Sequence, residues 1–247
     1  DGTFLLVLFA GIMTSVFSLA KIISYWLTNY PVLVWSFFFG LILASVLYIL
    51  RQMKQGGVSH VVGFLVGVGF AYWITVAEPL AIDPTHLNLF FAGMIAICAM
   101  ILPGISGSFI LLLMGLYTHV IGAIKQLDII ALAIFASGCV IGLLSFSRIL
   151  SWRLSKYHDL TLAVLAGVML GSLNKVWPWK QTLTFRTNSH GEQVPFIQEN
   201  VLPAQYEHLV GSDSMMLYAV GLMLIGFLLV LGLEGVNLFK NKTADSL

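Results

Sequence analysis

Apolar residues fill long blocks along this chain, and polar clusters separate them. Blocks at 4–27, 32–50, 58–77, 129–152, 160–173 and 214–239 carry at most one charged residue each. A helix needs about 20 apolar residues to cross a bilayer. Each block therefore predicts a spanning helix, with 160–173 short for the task. Thr28-Asn29-Tyr30-Pro31, the stretch 51–57 and Glu78-Pro79 end the first three. Residues 174–213 read as one polar loop. Trp26, Trp152, Trp177 and Trp179 fall near block ends, where interfacial aromatics belong.

One further block, 87–117, is interrupted in its middle by Leu102-Pro103-Gly104-Ile105-Ser106-Gly107-Ser108. Pro103 lacks an N–H and clashes with the helical turn before it. Gly104 and Gly107 permit a sharp turn. Ser106 and Ser108 add short hydroxyls. The pattern predicts two half-helices, 87–101 and 108–117, meeting at this break. Backbone freed at membrane depth must be buried in protein or line a wet cavity. Unpaired amides at the start of the second half-helix would suit an anion, as in broken-helix transporters. A kinked helix with glycines for close packing accounts for the same residues.

Composition places the protein firmly in the bilayer. The 247 residues are 59% hydrophobic and 9% charged, with mean hydropathy +0.95, whereas a soluble domain carries roughly 25% charge. An all-α polytopic membrane protein, a single membrane domain over 1–247, is the expected fold class. A net charge of +1 gives no attraction to nucleic acid. Cys98 and Cys139 lie inside apolar blocks and supply no disulfide framework. The six histidines show no metal-ligand spacing, so neither a metal nor a cofactor is implied.

The chain repeats itself. Residues 1–47 laid on 128–174 need no gap and match at Asp1/Asp128, Gly11/Gly138, Ser18/Ser145, Ser24/Ser151, Tyr30/Tyr157, Gly40/Gly167 and Ser45/Ser172. Apolar helices match one another cheaply; matched Gly, Ser, Tyr and Asp do not. Repeat 1 then covers 1–80 and repeat 2 covers 87–239. The interrupted block precedes the second copy, so its counterpart is expected about 25 residues before Asp1: either this sequence lacks an N-terminal hairpin, the favoured reading, or the first copy lost it. If 87–117 enters and leaves on one side, three true spans separate the copies and they are inverted. If it crosses, the copies are parallel. Re-entry puts Arg51, Lys54, Arg153, Lys156, Lys240 and Lys242 on one face, cytoplasmic by the positive-inside rule, together with the C-terminus. Lys125 and the 174–213 loop, with Lys175, Lys180, Arg186, Glu192, Glu199 and Glu207, then lie outside.

Lys21 and Arg148 are equivalent basic positions near span ends. Each either snorkels to headgroups or supplies a counter-charge for a phosphate beside the break. Glu78 and Glu234 end the third and last spans and could be repeat mates. Each is an interfacial carboxylate or a carrier of a coupling proton. Gly63 and Gly67 in the third span have the spacing of close helix packing.

The string from Leu102 to Tyr117, with Tyr30-Pro31, Phe38-Phe39-Gly40-Leu41 and 167–179, resembles the bacterial polyprenyl-phosphate transporter family. Members carry a sister Pro-Gly-x-Ser-Gly-Gly string near their N-terminus, which this chain lacks, in agreement with the repeat. The resemblance implies a flippase, not an enzyme, in the bacterial cytoplasmic membrane. It would return undecaprenyl phosphate, the lipid carrier of cell-wall synthesis, from the outer to the inner leaflet. The phosphate would sit on Pro103, Gly104, Ile105, Ser106, Gly107 and Ser108, with Arg148 and Lys21 as counter-charges. The implied partners are this lipid and the bilayer; a homo-oligomer stays open. A lipid-pyrophosphate phosphatase and a small-anion channel would want the same anion seat.

Overall fold

The computed structural model describes residues 2–54, 56–187 and 193–244. The side chains of Lys21, Arg186, Lys240 and Lys242 lie outside the described residues, as does Glu192. Among the described residues ten α-helices follow one another: α1 (Gly2–Asn29), α2 (Pro31–Gln52), α3 (Val58–Val76), α4 (His86–Ile101), α5 (Gly107–Leu113), α6 (Tyr117–Gln126), α7 (Ile129–Lys156), α8 (His158–Ser172), α9 (Pro203–Val210) and α10 (Met216–Ala244). Two strands, β1 (Lys180–Thr187) and β2 (Gln193–Asn200), pair antiparallel between α8 and α9. Local chemistry sets the helix starts. Pro31 opens α2, where a missing amide hydrogen costs nothing. Thr85 caps α4 by accepting from the Asn88 amide, and Asp128 caps α7 by accepting from that of Ala131.

Among the described residues, α2, α3, α7, α8 with its following 3-10 turn (Leu173–Val176), and α10 are long and apolar enough to cross a membrane. Six spans were expected; α1 has the length, but several of its side chains are outside the described residues.

Three helix pairs form the body, and the members of each run in the same direction. In α4 and α7, Gly93 meets Phe135 and Cys139, and Gly142 meets Met94 and Ile97. In α3 and α8, Gly63 meets Leu160 and Val164, and Gly171 meets Val68, Ala71 and Tyr72. In α2 and α10, Val32 shares a buried cluster with Ala219, and Arg51 at the far end reaches Glu234 at 3.9 Å. Glycines let these backbones touch, which is how helices bind where no hydrophobic force separates them from lipid. Gly63 and Gly67 thus serve packing, as their spacing implied.

The contacts repeat with the sequence. Phe37 and Leu41 flank Gly226; 127 residues later, Val164 and Val168 flank Gly67. Gly40 meets Met223, and its mate Gly167 meets Phe64. The α2–α10 crossing is therefore the α8–α3 crossing over again, with α3 carried onto α10 by an offset of 159. That offset sets Glu78 on Asn237 and Glu234 on Thr75. In this register the two glutamates do not fall on one another, because the segment between α8 and α10 adds 32 residues to the offset. α2 and α8 run in opposite directions: the start of α2 lies by Trp179, beyond α8, while the Lys54 amide donates to Asp159 at the start of α8.

The interrupted block folds back. α4 ends where the Leu102 amide closes on Ala99 and Cys98 carbonyls. α5 returns, and its last carbonyl, of Leu113, accepts from the Leu80 amide at 2.6 Å. Leu80 belongs to the link that precedes α4, so the start of α4 and the end of α5 share a level. The second half-helix was expected to reach Tyr117. It stops at Leu113 because Gly115, at φ 73°, turns against the Leu80 carbonyl, and the chain bends by 109° into α6. α6 packs at the same level, Val120 and Ala123 clustering with Leu89 and Ala131.

The stretch 174–213, read as one polar loop, forms a folded cap in its described residues. Trp179 is buried, with Val32, Val201, Tyr206 and Ala219 around it. Its indole donates to the Ser214 carbonyl and that of Trp177 to Val201, both at 2.9 Å. These two tryptophans are cap core, not interfacial anchors. Trp26 and Trp152 are exposed at helix ends as expected.

Candidate functional site

The break between α4 and α5 is held by few bonds. Gly104 takes φ 90°, and a Cβ there would collide with the Ser172 hydroxyl, so the loop presses directly on the end of α8. Ser106 caps α5, its hydroxyl accepting from the Phe109 amide at 3.1 Å and lying 3.0 Å from the Ser108 hydroxyl. One hydroxyl proton is consumed between the serines, and the other is free to donate. The amides of Gly104, Ser106, Gly107 and Ser108 have no backbone acceptor among the described residues. Ile105 and Gly107 are buried, Pro103 is half-buried, and Gly104, Ser106 and Ser108 are exposed. The loop can thus offer amides and a hydroxyl to an oxyanion.

The other predicted residues are more scattered. Cys98 lies against Gly142, its thiol 3.7 Å from that carbonyl. Six residues on, Arg148 stands about 9 Å further along α7, level with the break. It points some 120° round the helix from the α4-facing glycine and is exposed. The structure gives it the height but no contact with Ser106 or Ser108. The Lys21 side chain lies outside the described residues. Glu234 is mostly covered and faces Arg51; Glu78 is exposed at the opposite end of the bundle.

Sequence reasoning passed over a second basic feature. A cavity of about 580 Å³ opens between the end of α3, α5, the turn after α8 and the β1–β2 hairpin. Lys175 and Lys180 line it. The Lys175 ammonium sits 4.4 Å from the ring centroid of Phe109, next to Ser108. The Lys180 ammonium lies 4.6 Å from the Trp35 ring and donates to the Lys175 carbonyl at 2.5 Å. Neither nitrogen has a carboxylate within 4.0 Å among the described residues. Burial, with the charge of Lys175 beside it, pulls the Lys180 ammonium down from 10.5 to about 8.

The family model described as VCA0040-like, undecaprenyl phosphate translocase-like, matches residues 1–194. The chain belongs to the undecaprenyl phosphate translocase-like family. Within that family's reach lie the break, α7, α8 and both lysines of the cavity. A polyprenyl-phosphate transporter of Vibrio cholerae is 56% identical over 234 residues, covering 95% of this chain and 76% of the relative. A polyprenyl-phosphate transporter of Staphylococcus aureus is 31% identical over 194 residues, covering 71% and 69% respectively. No solved structure matches. In this translocase-like chain the signal for the lysine cavity was available in Lys175-Val176-Trp177-Pro178-Trp179-Lys180. Two tryptophans between two lysines mark a segment that packs, and a packed segment desolvates its charges.

Proposed function

We propose that the protein moves polyprenyl phosphate between the leaflets of the bacterial cytoplasmic membrane, from outer to inner. The observation that carries this reading is the fold-back of α4 and α5, whose break offers a serine hydroxyl and amides with no backbone acceptor among the described residues. We read 87–117 as a re-entrant hairpin. Pro103 and Gly104 open it, Ile105 and Gly107 anchor it, and Ser106 and Ser108 face the phosphate. Arg148, and Lys21 in the first half, supply counter-charge, with the polyprenyl tail left in lipid. Arg is the better bidentate phosphate partner and Lys a point charge.

The architecture in this reading is two inverted halves, repeat 1 over 1–80 and repeat 2 over 87–239, that expose the seat alternately. The repeated glycine contacts and the opposite directions of α2 and α8 support it. A counterpart of the hairpin would cover α1. Gly11 falls on Gly138, which meets Phe90 of α4, yet Gly11 has nothing within 4 Å; Ser45 falls on Ser172, which Gly104 touches. The face bearing Arg51, Lys54, Arg153 and Lys156 is cytoplasmic in this reading, with the C-terminus. Glu78 and Glu234, at opposite ends, are the candidates for a coupling proton.

The test is flux in vesicles. A membrane-impermeant phosphatase reports how much short-chain polyprenyl phosphate remains in the outer leaflet. Wild type should empty that leaflet faster than protein-free vesicles, and Arg148→Ala should slow it about tenfold, the scale of one charge-assisted contact. Phosphate release without added phosphatase would mark a hydrolase instead. Unchanged flux in Ser106→Ala, Ser108→Ala and Arg148→Ala together would remove the site assignment.

A further inference from the structure

We infer that the Lys175–Lys180 cavity is a second binding site, a site for a dianionic phosphate group at the hairpin end of the bundle, distinct from the amides of the break. It rests on the transport reading only for its role, which is loading. Three features of the structure lead to it.

First, two ammonium groups line one cavity from adjoining segments, the turn after α8 and the start of β1. Like charges brought together and partly desolvated cost free energy unless an anion repays it. Second, the carboxylates that could have neutralised them stand back. Glu78 and Glu199 line the same cavity, are exposed, and make no ion pair with either lysine. Aromatic rings hold the ammonium groups instead, Phe109 under Lys175 and Trp35 beside Lys180. That contact positions a cation without consuming its charge. Third, the wall is fixed. The Asn200 side-chain Nδ2 donates to the Asn174 backbone carbonyl and Oδ1 at 2.7 and 2.8 Å, and the Asn174 Nδ2 donates to the Thr75 hydroxyl at 2.8 Å. These bonds tie the hairpin, the turn and α3 into one rim.

The ligand chemistry is a dianionic phosphate group, since two cations and a polar rim line one cavity. Phe109 connects the two sites: its ring carries Lys175, and its amide binds Ser106 at the break. A headgroup held at the lysines would thus stand one short step from the serines. Two sources share this chemistry, a polyprenyl phosphate and free inorganic phosphate.

The test is equilibrium binding to the purified full-length protein in detergent, with farnesyl phosphate and inorganic phosphate as separate probes and farnesol as the uncharged control. Lys175→Gln and Lys180→Gln should each weaken phosphate binding at least about tenfold, and Lys180→Arg should restore it. Farnesyl phosphate outcompeting inorganic phosphate assigns the site to the lipid; equal competition assigns it to free phosphate. Wild-type binding should also weaken as pH rises through about 8, where Lys180 loses its proton. Lys175, Glu78, Glu199 and Tyr72 share its cavity, and Tyr30, Tyr206 and Asp213 lie on its other side. The pH titration needs no variant and stands if a substitution fails to fold. Unchanged affinity in the double Gln variant, or binding flat from pH 6.5 to 9.5, overturns the site. In vesicles, Lys175→Gln should raise the lipid concentration for half-maximal flux while keeping the maximal rate. Wild type that moves no lipid would sink the transport reading and leave the binding result intact.

Discussion

At the scale of single residues, the serines of the break divide their labour. The Ser106 hydroxyl caps α5, so Ser106→Ala should cost about 1 kcal/mol of stability as well as weakening anion binding. Ser108→Ala removes only the partner hydroxyl and should leave the melting temperature in detergent nearly unchanged. Equal melting shifts in the two variants would contradict that division. Lys180 adds a stability effect of its own. Its folded-state value of about 8 lies below the ordinary 10.5. Between those values the unfolded chain binds more protons, so this group's contribution makes the protein more stable as pH rises from 8 towards 10. Binding and stability should therefore move in opposite directions over that window. The residues of the break were legible in sequence because proline and glycine announce a broken helix. Lys180 was not, because its desolvation depends on Trp35, which is far away in the chain.

At the scale of elements, glycines decide which helices meet. A side chain at Gly67 or Gly167 would collide with the backbone of the facing helix, whereas Gly69, on the same helix as Gly67, has nothing within 4 Å. Gly67→Leu and Gly167→Leu should each destabilise by about 1–3 kcal/mol or more, read as a lowered melting temperature in detergent. Gly69→Leu should be near neutral, and equal losses at all three would contradict the α3–α8 crossing. The blocks of apolar residues gave the helices to within a few positions, since length and composition suffice for that. The cap over 174–213 escaped because its polar residues mask a core built on Trp179, Val201 and Tyr206, contributed from well-separated stretches. The early end of α5 escaped for a similar reason. A hydrogen bond from Leu80, some thirty residues upstream, takes up the carbonyl of Leu113.

At the scale of the whole molecule, one crossing is used twice, α8 on α3 and α2 on α10, and the hairpin of α4 and α5 is laid against the first of them through Gly104 and Ser172. The glycines and serines that match at an offset of 127 were legible in the sequence. The 159 offset for the last helix was not, because the inserted cap hides it. If the break is the proposed phosphate seat, it should be reachable by water and closed by its ligand. The direct measurement is thiol labelling of Ser108→Cys, with Cys98 and Cys139 changed to Ala, in vesicles of defined orientation. An impermeant maleimide should label the break, and short-chain polyprenyl phosphate, but not the matching alcohol, should protect it. A break that the reagent never reaches, or one labelled equally with and without the lipid phosphate, would contradict the account.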